Sequence, residues 1–194
     1  MGIREVEVDT QLTRDNVVVL CHDDNLERYA NGDQVVEEMT SQMLLSLDMG
    51  SWFSPSQFAG ISMMTLEDLL DDFSSDFAFH IELIGAAPDL PIYVFDLLER
   101  HGVIEHCIVT SFSFDHLVRM RELTTCRLGW LVEEFSKEVL SRAKDLELFQ
   151  LCPPARKVNA QLVELGRGAV KEIRVWGMSG APSEVRSMVK RAID

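Results

Sequence analysis

The chain has 194 residues, of which 46% are hydrophobic and 26% charged. That is the balance of one globular domain with room for a small insertion, and it excludes wholesale disorder. Eighteen Lys and Arg against 32 Asp and Glu leave a net charge of −14 with no basic block, which argues against nucleic acid and against an anionic membrane surface as partners.

Read in order, short apolar strands alternate with amphipathic helices. Strands are predicted over 5–12, 17–21, 77–83, 107–111, 127–132, 146–152 and 172–178, and helices over 65–72, 90–101, 115–123, 136–144, 159–168 and 183–192. Such alternation implies a parallel sheet with crossover helices. The strand over 17–21 is the exception, because the four-residue link before it permits only an antiparallel hairpin; Asn16 suits the turn, since asparagine tolerates left-handed dihedrals. Residues 24–62 are polar, carry Gly32, Gly50, Gly60 and Pro55, and hold Trp52 and Phe53. They read as an insertion packed over one end of a single domain spanning 1–194.

No apolar run approaches the roughly 20 residues needed to cross a bilayer. The stretch from Met1 to Asp9 meets charge at Arg4 and Glu5 without a signal-peptide core. Cys21, Cys107, Cys126 and Cys152 are widely spaced and form no CxxC pair. They are expected to be free buried thiols in a reducing, cytoplasmic compartment. The chain reads as starting in mid-fold, so a signal preceding it is compatible with that reading.

Three segments carry candidate chemistry. In Val6-Glu7-Val8-Asp9 the pleat turns Glu7 and Asp9 to one face and the valines to the other. Same-face neighbours lie about 7 Å apart, close enough to share one hard cation; a solvated edge strand would carry the same pattern. Cys21-His22-Asp23-Asp24 ends the hairpin arm and brings His22 back toward those acids, where an imidazole can transfer protons near neutral pH; a loop-capping His-Asp pair is the bland counterpart. In His80-Ile81-Glu82-Leu83-Ile84, Glu82 sits among apolar strand neighbours and shares a face with His80 and Ile84. A Glu/Asp/Glu oxygen cage suits calcium or magnesium better than zinc.

Several further segments fall in register with these. They are Gln11-Leu12-Thr13-Arg14-Asp15, Val17 through Asp23, Asn25-Leu26-Glu27-Arg28 with Asn31-Gly32, Leu47-Asp48-Met49-Gly50-Ser51-Trp52-Phe53, Met64-Thr65-Leu66-Glu67-Asp68-Leu69-Leu70, Ile81-Glu82-Leu83, Val109-Thr110-Ser111-Phe112 and Val175-Trp176. Together the segments resemble the glycerophosphodiester phosphodiesterase family. The resemblance implies a TIM-type (β/α)8 barrel, with active-site residues at the C-terminal ends of the strands. It implies Glu7, Asp9 and Glu82 as ligands of one divalent cation, Ca2+ or Mg2+, and His22 as one of two acid/base histidines. Ser111, Phe112 and Trp176 would line the mouth. The implied reaction is hydrolysis of a small glycerophosphodiester to glycerol 3-phosphate and an alcohol.

The sequence also departs from the family pattern. The family's His-Arg-Gly strand and its last strand have no counterpart, so an incomplete barrel is expected, with about six of the eight barrel strands and two open edges. Such edges invite self-association. Ile84 stands where the family commonly has lysine, and Met64 where it has proline. A catalytically silent relative that binds a divalent ion or a phosphorylated ligand, and an interaction module on the same scaffold, are the alternative readings. A sphingomyelinase D type also uses a Glu/Asp/Glu cage with two histidines; Trp52-Phe53 and Leu66-Glu67 favour the phosphodiesterase.

Overall fold

A computed structural model describes residues 2–29 and 32–193, with side chains as far as Lys190. Asn31, one of the motif residues above, lies outside the described residues. The elements are β1 (Glu5–Leu12), β2 (Val18–Leu20), α1 (Ser41–Leu45), α2 (Leu66–Phe73), β3 (Ala78–Leu83), α3 (Leu90–Arg100), β4 (Ile108–Ser111), α4 (Phe114–Leu123), β5 (Arg127–Leu131), α5 (Lys137–Asp145), β6 (Gln150–Cys152), α6 (Ala160–Arg167), β7 (Glu172–Ile173) and α7 (Pro182–Ile193). They form one sheet in the order β2-β1-β3-β4-β5-β6-β7. β2 pairs antiparallel with β1 and every other pairing is parallel. This is the strand succession of a TIM-type barrel, and among the described residues no pairing joins β7 back to β1.

Local chemistry explains the element boundaries. At the β1–β2 turn Asn16 takes a φ of 64°, and the Thr13 hydroxyl accepts from the Val17 N–H at 2.9 Å while donating to Asp15 Oδ1 at 2.7 Å. Thr65 and Asp68 close a reciprocal capping box on α2. Ser113, Ser136 and Asn159 cap α4, α5 and α6 with side-chain oxygens, each worth about 1 kcal/mol. Strand alternation then divides the sheet into two faces. Phe79, Ile81 and Leu83 of β3 enter the main core with Val109, Leu128 and Leu151 and the inner faces of α2, α3 and α4. Val6 and Val8 pack against the same core. Full burial of each such side chain stabilises by roughly 1.5–3 kcal/mol.

The opposite face, turned toward the barrel interior, is polar and closely packed. His80, Thr110 and Gln150 are buried, and a Cβ at Gly129 would stand 2.9 Å from Thr110 Cγ2 and 3.0 Å from Gln150 Oε1. Residues between β2 and α2 build a second small core of Leu26, Val36, Met39, Leu44 and Met63 against Val19 and Cys21. It contains α1 and two 3-10 turns that the sequence pattern does not announce.

Two predicted strands shorten most. β6 begins at Gln150 rather than at Leu146, because α5 closes through Leu146 N–H to Arg142 O and Glu147 turns at φ 53°. β7 is regular only over Glu172–Ile173. Its neighbour runs into Pro153-Pro154, which have no N–H to continue a ladder. Single bonds carry the chain onward, from Arg174 N–H to Leu151 O and from Trp176 N–H to Pro153 O, before Gly177 turns away at φ 69°.

Candidate active site

The parallel register of β1 on β3 sets Asp9 opposite Glu82 and Glu7 opposite His80. All three carboxylates therefore emerge on the interior face near the C-terminal end of β3. One oxygen from each of Glu7, Asp9 and Glu82 lies within 4.8 Å of the others. None of the three forms an ion pair with a Lys, Arg or His among the described residues. The electrostatic consequence is a shared upward shift. Burial, then Asp9 and Glu7, push the Glu82 carboxyl up to about 7. Burial and Asp9 raise Glu7, and burial also raises Asp9. Arg174 and His22 offset part of this for Glu7 and Glu82 but leave both carboxyls raised; crowded carboxylates so incompletely compensated are costly, and three hard oxygens converging on one point fit a hard divalent ion.

His22 follows β2 and is held at this rim. The Gln11 amide donates to Cys21 O at 2.9 Å and to Asp23 O at 2.8 Å, and the Cys21 N–H donates to Asp9 O at 3.1 Å. The His22 ring is mostly exposed, with Nδ1 3.2 Å from Asp23 Oδ1. Asp23 is itself paired with Arg28 Nε at 2.7 Å.

The acids and His22 share a cavity of about 440 Å³. Phe112 and Trp176 form its apolar lip, their rings edge-to-face at 5.2 Å. The Phe112 carbonyl is fixed by the Trp130 indole N–H at 3.2 Å. Ser111, expected at the mouth, does not line the cavity. It is fully buried, and its hydroxyl donates to Leu83 O at 2.7 Å while accepting from the Ser113 N–H at 3.0 Å. Alternation along β4 presents Thr110 to the cavity instead.

Sequence reasoning missed Arg174, which also lines the cavity. A signal was available: Glu172, Arg174 and Trp176 share parity along the last strand, so the face that delivers Trp176 delivers Arg174. The Arg174 guanidinium lies 3.0 Å from His80 Nδ1, and His80 Nε2 is 3.6 Å from Glu5 Oε2. The remaining histidines lie off the cavity. His116 is buried in α4, His101 sits 3.7 Å from Asp71, and His106 is exposed in a 3-10 turn.

An open parallel-strand barrel with a three-acid cluster and a histidine at the strand ends defines a TIM-barrel protein with a site suited to metal-assisted chemistry. The family model for the glycerophosphoryl diester phosphodiesterase family matches residues 1–178, and the chain belongs to that family. Members use a divalent metal, and the acidic cluster could bind one. The chain is 38% identical over 125 residues to the Bacillus subtilis protein YhdW, a glycerophosphodiester phosphodiesterase by name, covering 63% of this chain and 51% of that one. It is 30% identical over 135 residues to a glycerophosphodiester phosphodiesterase of the same organism, covering 61% and 45%. The matches thus span about half the length of these two relatives. A glycerophosphodiester phosphodiesterase of Caldanaerobacter subterraneus is 25% identical over 199 residues, covering 100% and 81%. Among solved structures, an Oleispira antarctica phosphodiesterase in complex with the product sn-glycerol-3-phosphate superposes with a TM-score of 0.86 at 21% identity, covering 98% of this chain and 78% of that one. A glycerophosphodiester phosphodiesterase from Agrobacterium tumefaciens gives 0.78 at 22%, covering 100% and 82%. At these identities the superpositions establish the TIM-barrel fold. Among the described residues no helix is long and apolar enough to cross a membrane.

Proposed function

We propose that the chain hydrolyses small glycerophosphodiesters to glycerol 3-phosphate and an alcohol, with Glu7, Asp9 and Glu82 holding one Ca2+ or Mg2+. The observation that carries this reading is the convergence of three unpaired carboxylates within 4.8 Å beside a histidine, in a chain of this family. A bound divalent cation would polarise a phosphoryl oxygen and offset the carboxylate charge. His22 moves a proton to or from the reacting oxygen; Asp23 accepts its Nδ1–H at 3.2 Å, which leaves Nε2 for the transfer. Phe112 and Trp176 give the carbon skeleton an apolar wall and help exclude water. The four buried free thiols fit a reducing, cytoplasmic setting, and the two ends of the sheet, β7 at one and β2 with the uncovered start of β1 at the other, are where a second copy would associate.

The assay is release of glycerol 3-phosphate from glycerophosphocholine, with calcium or magnesium and with chelator. Metal-dependent release that disappears in Glu82→Gln supports the reading; release indifferent to both changes rejects it. One observation favours a second reading, a silent relative that binds a divalent ion or a phosphorylated ligand. His22 is the sole histidine lining the cavity among the described residues, which therefore supply one acid/base histidine rather than two. Metal binding without turnover would select this second reading.

A further inference from the structure

We propose that Arg174 is the anion-binding residue of the cavity, its guanidinium taking the phosphate group of the ligand while His80 holds it in place. The inference rests on the cavity being a phosphodiester site, and it concerns what that site uses to attract an anion. A phosphodiester carries a negative charge, and here it must approach three carboxylates. A single divalent cation leaves those acids in excess by one charge. Ile84 on the cavity wall offers no donor. Among the described residues lining the cavity, Arg174 is the sole Lys or Arg.

Its hydrogen bonding is that of a side chain with donors to spare. The described residues give Arg174 no ion pair, and its one side-chain partner is His80 Nδ1 at 3.0 Å. The nearest acid in sequence, Glu172, is engaged elsewhere, accepting from the Gln150 amide at 2.9 Å. A guanidinium has five N–H donors and no acceptor, so His80 Nδ1 must be the acceptor and the ring proton must lie on Nε2. Nε2 is the nitrogen that faces Glu5, at 3.6 Å. His80 is buried, so this contact fixes the guanidinium from below and leaves the rest of its fork to grip a phosphate in two-point fashion. The other cation near the mouth is committed: Arg28 pairs with Asp23 at 2.7 Å and lies over the Trp52 ring at 5.9 Å. Arg174 is thus a binding residue and His80 its positioning residue.

The test is calorimetric titration of the full chain with inorganic phosphate and with sn-glycerol 3-phosphate, each with and without Mg2+. Mg2+ alone is titrated in parallel, and circular dichroism checks every variant for folding. Arg174→Gln should weaken both anions roughly 10- to 100-fold while Mg2+ binds as tightly as before or more so. Arg174→Lys, which keeps charge but loses the fork, should fall between. His80→Phe should weaken the anions in the parent background and add nothing to Arg174→Gln, with His80→Asn recovering part of the loss. Unaltered anion affinity in Arg174→Gln, or no anion binding by the parent in either condition, overturns the assignment. Strictly additive losses from His80 and Arg174 overturn the positioning role. Mg2+ that does not bind the parent, with Arg174-dependent phosphate binding intact, instead overturns the hydrolase reading.

Discussion

Replacing Glu82 with glutamine should stabilise the metal-free chain at neutral and alkaline pH while destroying its response to metal. The Glu82 carboxyl is pushed up to about 7 by burial and by the neighbouring Asp9 and Glu7, against 4.5 for a free glutamate side chain. The folded chain therefore holds that proton more tightly than the unfolded chain does. Its contribution favours folding fully below about 4.5 and is lost as the pH climbs through about 7. At roughly 1.4 kcal/mol per pH unit, the ionised group costs the fold at most about 3–4 kcal/mol. Water reaching the cavity mouth screens part of this, leaving about 1–2 kcal/mol.

Glutamine keeps the shape and drops the charge. For a chain of this size that saving corresponds to a rise in Tm of about 3–6 °C at pH 8 without metal, shrinking toward zero at pH 4, where the parent is protonated. Calcium or magnesium reverses the order. The parent should gain stability with metal concentration, since a ligand that binds only the folded state stabilises it, and the variant should gain far less. Thermal unfolding at pH 4, 6 and 8, with chelator or with metal, gives all the comparisons. A glutamine variant no more stable than the parent at pH 8, or equally shifted at pH 4 and pH 8, would refute the idea that the three acids crowd one another.

Other consequences are as direct. His22→Gln should lower turnover about 10²- to 10⁴-fold and leave magnesium affinity unchanged, read by steady-state kinetics and calorimetry. Thr65→Ala removes the hydroxyl's part of the α2 capping box, its bonds with the Asp68 N–H and with Asp68 Oδ2, while the residue 65 N–H still donates to Asp68 Oδ2; it should cost about 1 kcal/mol in urea unfolding, with no change in metal binding. Gly129→Val puts branched carbon where a Cβ alone would meet Thr110 and Gln150 at 2.9–3.1 Å. Overpacking of that kind should cost about 1–3 kcal/mol, seen as a lower urea midpoint at unchanged slope.

What could be read in advance follows from how each signal is encoded. Strand β1 and the shared face of Glu7 and Asp9 obey the two-residue period, and a period survives without knowledge of neighbours. The hairpin was legible for the same reason: a four-residue link between two apolar runs has one solution, and Asn16 supplies the left-handed residue it requires. Ser111 was misplaced because the motif Thr110-Ser111-Phe112 locates a strand end without saying which hydroxyl faces in. The pleat turns Ser111 away from the face that carries Thr110 and Phe112, and there its hydroxyl donates to Leu83 O.

Arg174 was hidden by a different cause. The strand that delivers it is regular for two residues only, Glu172–Ile173, because the facing Pro153-Pro154 deny it a ladder, and an irregular edge weakens periodicity as a guide. α1 was hidden because its five residues, Ser41–Leu45, are too short to show a helical stripe. Tertiary bonds fix it instead: the Asp15 carboxylate at the hairpin turn accepts from the Ser41 N–H at 2.7 Å and from its hydroxyl at 2.8 Å. The Thr13 hydroxyl, with these Ser41 contacts, holds the Asp15 carboxyl down to about 2, so the tie persists through the acid range in which Glu82 protonates. Elements specified by local period were therefore visible in the sequence. Those specified by a partner distant in the chain, as Ser41 is by Asp15, become visible only once the sheet has brought the partners together.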